Sequence, residues 1–307
     1  MKGLIKIFVI LEFFVCLCFA EVRFLEETMS VREASLGGAY CGVVNDITGV
    51  LINPAVLNYV VYPEVNFVYK KWLMDSYYNL VGVLVPMRQR GLSITGLLFD
   101  GGDIEVNYLD GGTKKFKLEQ DVVVSMAYGV NLDEEFFFGM SLKYVYSRLV
   151  EQYKASCFAF DLGGLFRSID NKISLGISLT NLGTGLKYKD VVEQLPTNLR
   201  IGFAFNLLEK RDLSILFAAD TKRNIKNVNT DNLYSFGLET QLYKLAYFRI
   251  GYKTSSLSQM LSLGFGLNVF SFYLDYAYLP LSSVDEITHQ LSLSFKFGSG
   301  KIYDVAE

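Results

Sequence analysis

The chain has 307 residues with 29 Lys+Arg against 32 Asp+Glu, a formal net charge of −3. That balance gives no basis for a nucleic-acid partner. Hydrophobic residues make up 51% and aromatics 15%, with 26 Gly but only 5 Pro. This excludes a disordered or linker-rich chain and demands that much apolar surface be buried or embedded.

Residues 1–20, MKGLIKIFVILEFFVCLCFA, place Lys2 and Lys6 before an apolar stretch from Ile7 to Phe19, with Cys18 and Ala20 at the −3 and −1 positions of a cleavage site. The pattern predicts an export signal, although Glu12 interrupts the apolar run; an uncleaved anchor is the alternative. Neither Cys16 nor Cys18 follows the small residues that lipid attachment requires. Cys41 and Cys157 then remain, too far apart in sequence to suggest a metal cluster or a disulfide framework. No later stretch approaches the roughly 18 uninterrupted apolar residues of a spanning helix. If the exported chain enters a membrane, it does so as strands.

Residues 21–63 show no sustained alternation. Ser30 and Glu33 have the spacing of a capping box, and Gly37 and Gly38 supply a helix stop. Asn53 and Pro54 fit an N-cap followed by a first-turn proline. Short helices of this kind suit a plug inside a barrel too wide to be filled by its own side chains. An extension lying beneath the barrel is the alternative.

From residue 64 the period is two. In TNLRIGFAFNLL, Leu199, Ile201, Phe203 and Phe205 share one parity, while Asn198, Arg200, Gly202 and Ala204 share the other. KISLGISLTN, QMLSLGFGLNV and THQLSLSFKF repeat the pattern. The second parity is small and polar, and it also carries Lys143, Asp161, Asp220, Lys222, Glu239, Arg249, Lys253 and Asp275. A soluble sandwich or lipocalin-type protein would place charges more generally on a solvent face; lipid outside and a wet lumen inside account better for this pairing. The predicted strands are 64–73, 77–86, 91–106, 118–131, 136–150, 154–168, 172–182, 197–208, 212–223, 231–243, 246–254, 259–269, 272–279 and 288–297. The first three are the least regular, and 91–106 reads as one long strand or a hairpin. Short connections such as LDEE and SIDN alternate with longer ones such as YLDGGTKK and PLSSVDEI, as periplasmic turns and outer loops do. Tyr77, Tyr78, Tyr144, Tyr146, Tyr243, Tyr247, Tyr276 and Tyr278 near strand ends suggest interfacial girdles. The fold class is therefore all-β: a transmembrane antiparallel barrel of about 14 strands with a short helical N-terminal plug. Its expected parts are a signal peptide (1–20), plug segment (21–63), barrel (64–297) and periplasmic tail (298–307).

The run FLEETMSVREASLGGAYCGVVNDITGVLINPAVL resembles the opening signature of PorV/PorQ-type outer-membrane proteins, within the wider FadL-like superfamily. Phe24, Leu25, Arg32, Ala34, Leu36, Gly37, Gly38, Ala39, Tyr40, Asp46, Asn53, Pro54, Ala55 and Leu57 match it. Val56 stands where Gly is usual, and Asn45 where the first residue of an acidic pair is common. LRIGFAF, FRIGYKT, LSLGFGL, LDYAYLPL and HQLSLSFKF are similar to the closing strands, in order. The resemblance implies a 14-strand barrel with an N-terminal plug in the bacterial outer membrane. Its plug-signature residues would be Arg32, Gly37, Gly38, Asp46, Asn53 and Pro54. It also implies two possible roles. One is passage or capture of a hydrophobic small molecule, with Phe137, Leu165, Leu216 and Tyr273 lining a lumenal pocket and Arg200, Arg249 or Lys253 meeting an acidic head group. The other is a component of type IX secretion that binds secreted protein through loops 183–196 and 280–287. Outer-membrane lipid and the barrel-assembly machinery are the remaining expected partners, and SLSFKF resembles the final-strand signal for assembly, although the chain continues as GSGKIYDVAE.

Enzymatic chemistry finds little support. His289 is the only histidine and falls on the lipid parity, while Ser292 points inward, so Asp285, His289 and Ser292 do not assemble a triad. LGTGLK lacks the following helix of a phosphate loop. Glu26 and Glu27, like Glu134 and Glu135, read as solvated charges. No catalytic residue, metal site or cofactor is expected.

Overall fold

The computed structural model describes residues 22–298 apart from 44–45, 59, 61, 108–111, 151, 228–229, 257–258 and 281–286. The expected signal segment, residues 299–307 of the expected tail, Asn45, Asp285 and most of loop 280–287 lie outside the described residues.

Alternation in the sequence becomes alternation in burial. In the last strand, Leu291 and Leu293 are exposed while Gln290, Ser292 and Ser294 are buried. Ile177, Phe158 and Ile201, at 52%, 57% and 49% exposure, face outward in the same way. Apolar side chains outside and polar ones inside invert the arrangement of a soluble protein and match a wall surrounded by lipid.

Among the described residues fourteen strands form one closed antiparallel barrel. In chain order they are β1 (Glu64–Lys71), β2 (Tyr77–Met87), β3 (Arg90–Asp100), β6 (Glu119–Asn131), β7 (Phe136–Leu149), β8 (Tyr153–Arg167) and β9 (Ile173–Gly183), then β12 (Asn198–Glu209), β13 (Leu213–Asn224), β14 (Leu233–Leu242), β15 (Ala246–Thr254), β16 (Gln259–Val269), β17 (Phe272–Pro280) and β18 (Ile287–Lys296). Two hairpins, β4 (Asp103–Asn107) with β5 (Thr113–Lys117) and β10 (Leu186–Tyr188) with β11 (Val191–Glu193), belong to loops. β1 pairs with β18, setting Phe67 opposite Leu293, and this seam leaves no open edge.

The third strand ends at Asp100 rather than reaching residue 106. Gly102, at φ +79°, donates its amide to the Asp100 carboxylate at 2.9 Å, and the chain turns into the separate β4–β5 hairpin. Two expected girdle tyrosines also face the other way. Tyr78 is buried against Phe99, on the inward parity it shares with Leu80 and Leu84, and Tyr247 turns inward to hydrogen-bond Gln241, on the polar parity it shares with Arg249 and Lys253.

The described residues between 22 and 60 pack against lumen-facing side chains. Helix α1 (Val31–Ser35) is capped by the Ser30 hydroxyl, which accepts from the Glu33 amide at 3.2 Å. The Glu33 carboxylate accepts from Arg200 across the lumen, at 2.6 Å. Gly37 and Gly38, at φ +66° and +96°, stop the helix, with Gly38 N bonded to Glu33 O and Gly37 N to Ala34 O. Short 3-10 helices follow at Ile47–Leu51 and Pro54–Asn58.

Candidate functional site

The inner wall is shaped to receive the N-terminal segment at close range. Added Cβ atoms at Gly139, Gly176 and Gly251 would run into the backbone of Pro54, Cys41 and Gly37 respectively. A glycine on the inward parity of a strand permits such an approach and marks where another backbone will lie. The same glycines could have revealed the docking track from sequence.

Charged contacts hold this track. Arg32 donates both Nε and Nη2 to the Glu239 carboxylate, at 2.7 and 2.6 Å. Glu239 also accepts from Arg249 Nε at 2.6 Å, and Arg249 pairs with Asp275. Asp220 accepts from the amides of Tyr40 and Cys41, at 2.9 and 2.8 Å. Asn53 donates to Gly164 O at 3.0 Å and caps the following turn by accepting from Ala55 N at 3.1 Å. Asp46 accepts from the Tyr40 and Thr48 hydroxyls and from Gly49 N, so it caps the 47–51 turn. The plug-signature residues thus serve helix ends and wall contacts.

Residues 22–30 are held by apolar burial as well as by polar contacts, with Val22, Phe24 and Met29 in a buried cluster that includes Val68, Leu97 and Val145. Lys70 binds the Glu27 carboxylate at 2.7 Å, and Gln290 donates to Met29 O at 2.7 Å. Here, between segment and wall, lies a cavity of about 70 Å3. Leu25, Leu51, Leu97 and Val123 give it an apolar side, and Lys143, Arg200 and Lys222 with Glu26, Glu27 and Glu33 a charged side of both signs. Beside it the wall is irregular. The β8–β9 register shifts between Phe160 and Leu162, and Asn181 adopts φ +60°. Lys143 bridges Asp161 at 2.7 Å and Asn181 at 2.9 Å across that break. Bulges of this kind are common beside functional sites.

The lumen residues proposed from sequence are not gathered in one place. Arg200 lines this cavity, and Lys253 lines an adjoining one with Lys222 and Glu26. Arg249 and Tyr273 line a separate cavity of about 190 Å3 with Asp46, Glu64 and Asp275. Phe137 and Leu165 pack with Ala55, Val56 and Leu57 instead of facing open space, with Leu216 partly buried against the same cluster. Lys143 and Lys222 were recognised as inward from parity, but their place at the cavity depends on where the N-terminal segment docks.

Burial pushes the Cys41 thiol up to about 12. A solvated thiol, near 8.5, ionises first, so docking of Cys41 should be stabilised below pH 8.5 and lose that contribution as pH rises toward 12. With Cys16, Cys18 and Cys157 changed to Ser, alkylation of Cys41 should therefore stay slow at pH 9 and accelerate only in strong alkali. A rate that already tracks a solvated thiol at pH 9 would show an undocked segment.

No family model matches the chain, and no curated protein matches it. Solved structures are similar over almost their whole length. The CymD monoaromatic hydrocarbon channel matches with TM-score 0.65 and 12% identity, over 89% of this chain and 98% of its own. The Ralstonia pickettii toluene transporter TbuX matches at 0.61 and 11%, covering 89% and 99%. A Pseudomonas aeruginosa FadL homologue matches at 0.59 and 10%, again covering 89% and 99%. At these identities the likeness concerns the fold: a closed fourteen-stranded barrel like those of FadL-type hydrocarbon channels.

Proposed function

We propose that the protein is an outer-membrane barrel that captures a hydrophobic small molecule from outside and passes it into the membrane, with residues 22–60 acting as its plug. The cavity beneath residues 24–30 carries this reading, because it joins apolar walls to a few convergent polar groups, as small-molecule sites do. At about 70 Å3 it is smaller than the roughly 150 Å3 void known to admit benzene. Cargo entry therefore requires movement of residues that line the cavity, among them 24–30. The way down is less suitable for apolar cargo, since the lower cavities are lined by Arg32, Glu239, Gln241 and their charged neighbours. The β8–β9 irregularity supports a sideways exit.

Proteoliposome uptake of radiolabelled toluene and of decanoate tests the proposal. Uptake above that of empty vesicles is expected, with a fall of about tenfold in Leu97→Trp, which fills the cavity. Lys222→Ala should weaken decanoate and spare toluene. Uptake no faster than empty vesicles for both probes would refute the channel reading.

A protein-handling role of the PorV type is a second reading. Its support is the N-terminal resemblance together with Val191 and Val192, exposed by 63% and 46% on the β10–β11 hairpin. Loss of exported-protein binding on deletion of 189–192, with small-molecule uptake unchanged, would favour it.

A further inference from the structure

A second polar cluster lies at the outer rim, two residues along β6 from Val123 of the cavity wall. Glu119 and Asp121 are two residues apart on β6, so they point to the same side of the wall. Asp121 is 1% exposed, and neither of its carboxylate oxygens has a hydrogen-bond partner. Ser147 stands opposite it in register on β7, fully buried, with its hydroxyl beside the Asp121 carboxylate and the Tyr188 ring.

The β10–β11 hairpin completes the surroundings. Its Leu186 and Tyr188 join the apolar cluster that contains Phe24 and Val145, and Glu193 on β11 is close enough for Asp121 to feel its charge. The acidic charges acting on Asp121 are those of Glu119 and Glu193. Among the described residues none of these three carboxylates takes part in an ion pair. Buried carboxylates that face only like charge need a compensating cation or proton.

We propose that Glu119 and Asp121, with the Ser147 hydroxyl, bind a hard divalent cation of the calcium class that ties the outer hairpin to the barrel wall. An all-oxygen donor set selects calcium or magnesium over softer metals. Among the described residues no three His, Cys, Asp or Glu side chains are grouped to hold a metal. The ion is therefore held by two carboxylates and a hydroxyl, with water completing its shell and Glu193 nearby rather than ligating. Such a partial protein shell belongs with weak extracellular sites, with dissociation constants of about 10⁻⁴–10⁻³ M. Bound cation cancels the repulsion between Glu193 and the wall and keeps the hairpin seated; its removal loosens the hairpin.

The full chain in detergent micelles at pH 7.5 tests this by terbium luminescence, with Tyr188 as the nearby sensitiser and calcium as competitor. A saturable signal is expected, displaced by calcium in the submillimolar to millimolar range and reduced at least tenfold in Asp121→Asn and in Glu119→Gln. Both substitutions relieve charge repulsion, and heat-modifiable gel mobility confirms that each variant barrel has formed. Proteolysis within 187–193 should slow when calcium is added to the wild type and not to Asp121→Asn. Three outcomes overturn the proposal: no saturable signal, a signal unchanged in both variants, or terbium binding with no effect on hairpin proteolysis. The first, accompanied by greater stability at lower pH, would mean that the cluster holds a proton instead.

Discussion

Gly176→Val is expected to release the middle of the N-terminal segment while leaving the barrel intact. An added Cβ at Gly176 would meet the carbonyl group of Cys41 and approach its Sγ at 3.0 Å. The obstruction is backbone on both sides, so no rotamer change relieves it. Overpacking of this kind costs about 1–3 kcal/mol, and each 1.36 kcal/mol shifts a population tenfold. Cys41, buried in the wild type, should therefore react with a maleimide roughly 5- to 150-fold faster in the variant, measured with Cys16, Cys18 and Cys157 changed to Ser. Gly96→Val is the matched control, because an added Cβ there meets nothing within 4 Å. Equal labelling in the two variants would refute a segment docked on the glycine track.

Removing Glu239 should cost more than removing Arg32, although the two residues form one salt bridge. Glu239 accepts from both Arg32 and Arg249. Glu239→Ala leaves two buried guanidinium groups without that carboxylate, and breaking a buried pair from one side costs about 3–5 kcal/mol. Arg249 retains Asp275, which limits the loss on the wall. Arg32→Ala leaves Glu239 paired with Arg249 and should cost less, about 1–3 kcal/mol, close to the loss of a charged hydrogen bond. Urea unfolding in lipid vesicles gives the order of stability, and Cys41 labelling gives the order in which the N-terminal segment is released. The reverse order would mean that Arg32, rather than Glu239, is the centre of the network.

Much of the wall was legible because the burial rule acts residue by residue. Leu291 and Leu293 against Gln290 and Ser292 predict lipid on one side and lumen on the other without reference to any distant residue. Asp220, Glu239 and Arg249 were recognised as inward in the same way. Errors arose where local chemistry overrode period. The Gly101–Gly102 pair ended β3 early, and Tyr78 and Tyr247 were grouped by their position near strand ends although parity turns them inward.

The candidate site was less legible. Arg200 and Arg249 read as free cations for an acidic ligand, but they face Glu33 and Glu239, separated from them by 167 and 10 residues. Phe137 read as pocket lining but packs with Ala55, Val56 and Leu57. Lys143 and Lys222 gained significance only through the cavity beside them.

By itself the sequence determined an antiparallel barrel of β-strands, the facing of its residues, and the helix caps at Ser30 and Asn53. Period, parity and capping are properties of near neighbours, set by backbone geometry and the contrast between apolar and polar side chains. Tertiary structure decided which inward charges are neutralised, where the N-terminal segment meets the glycines, and where space remains between them. Those outcomes depend on strands brought together from across the chain, so no local pattern encodes them.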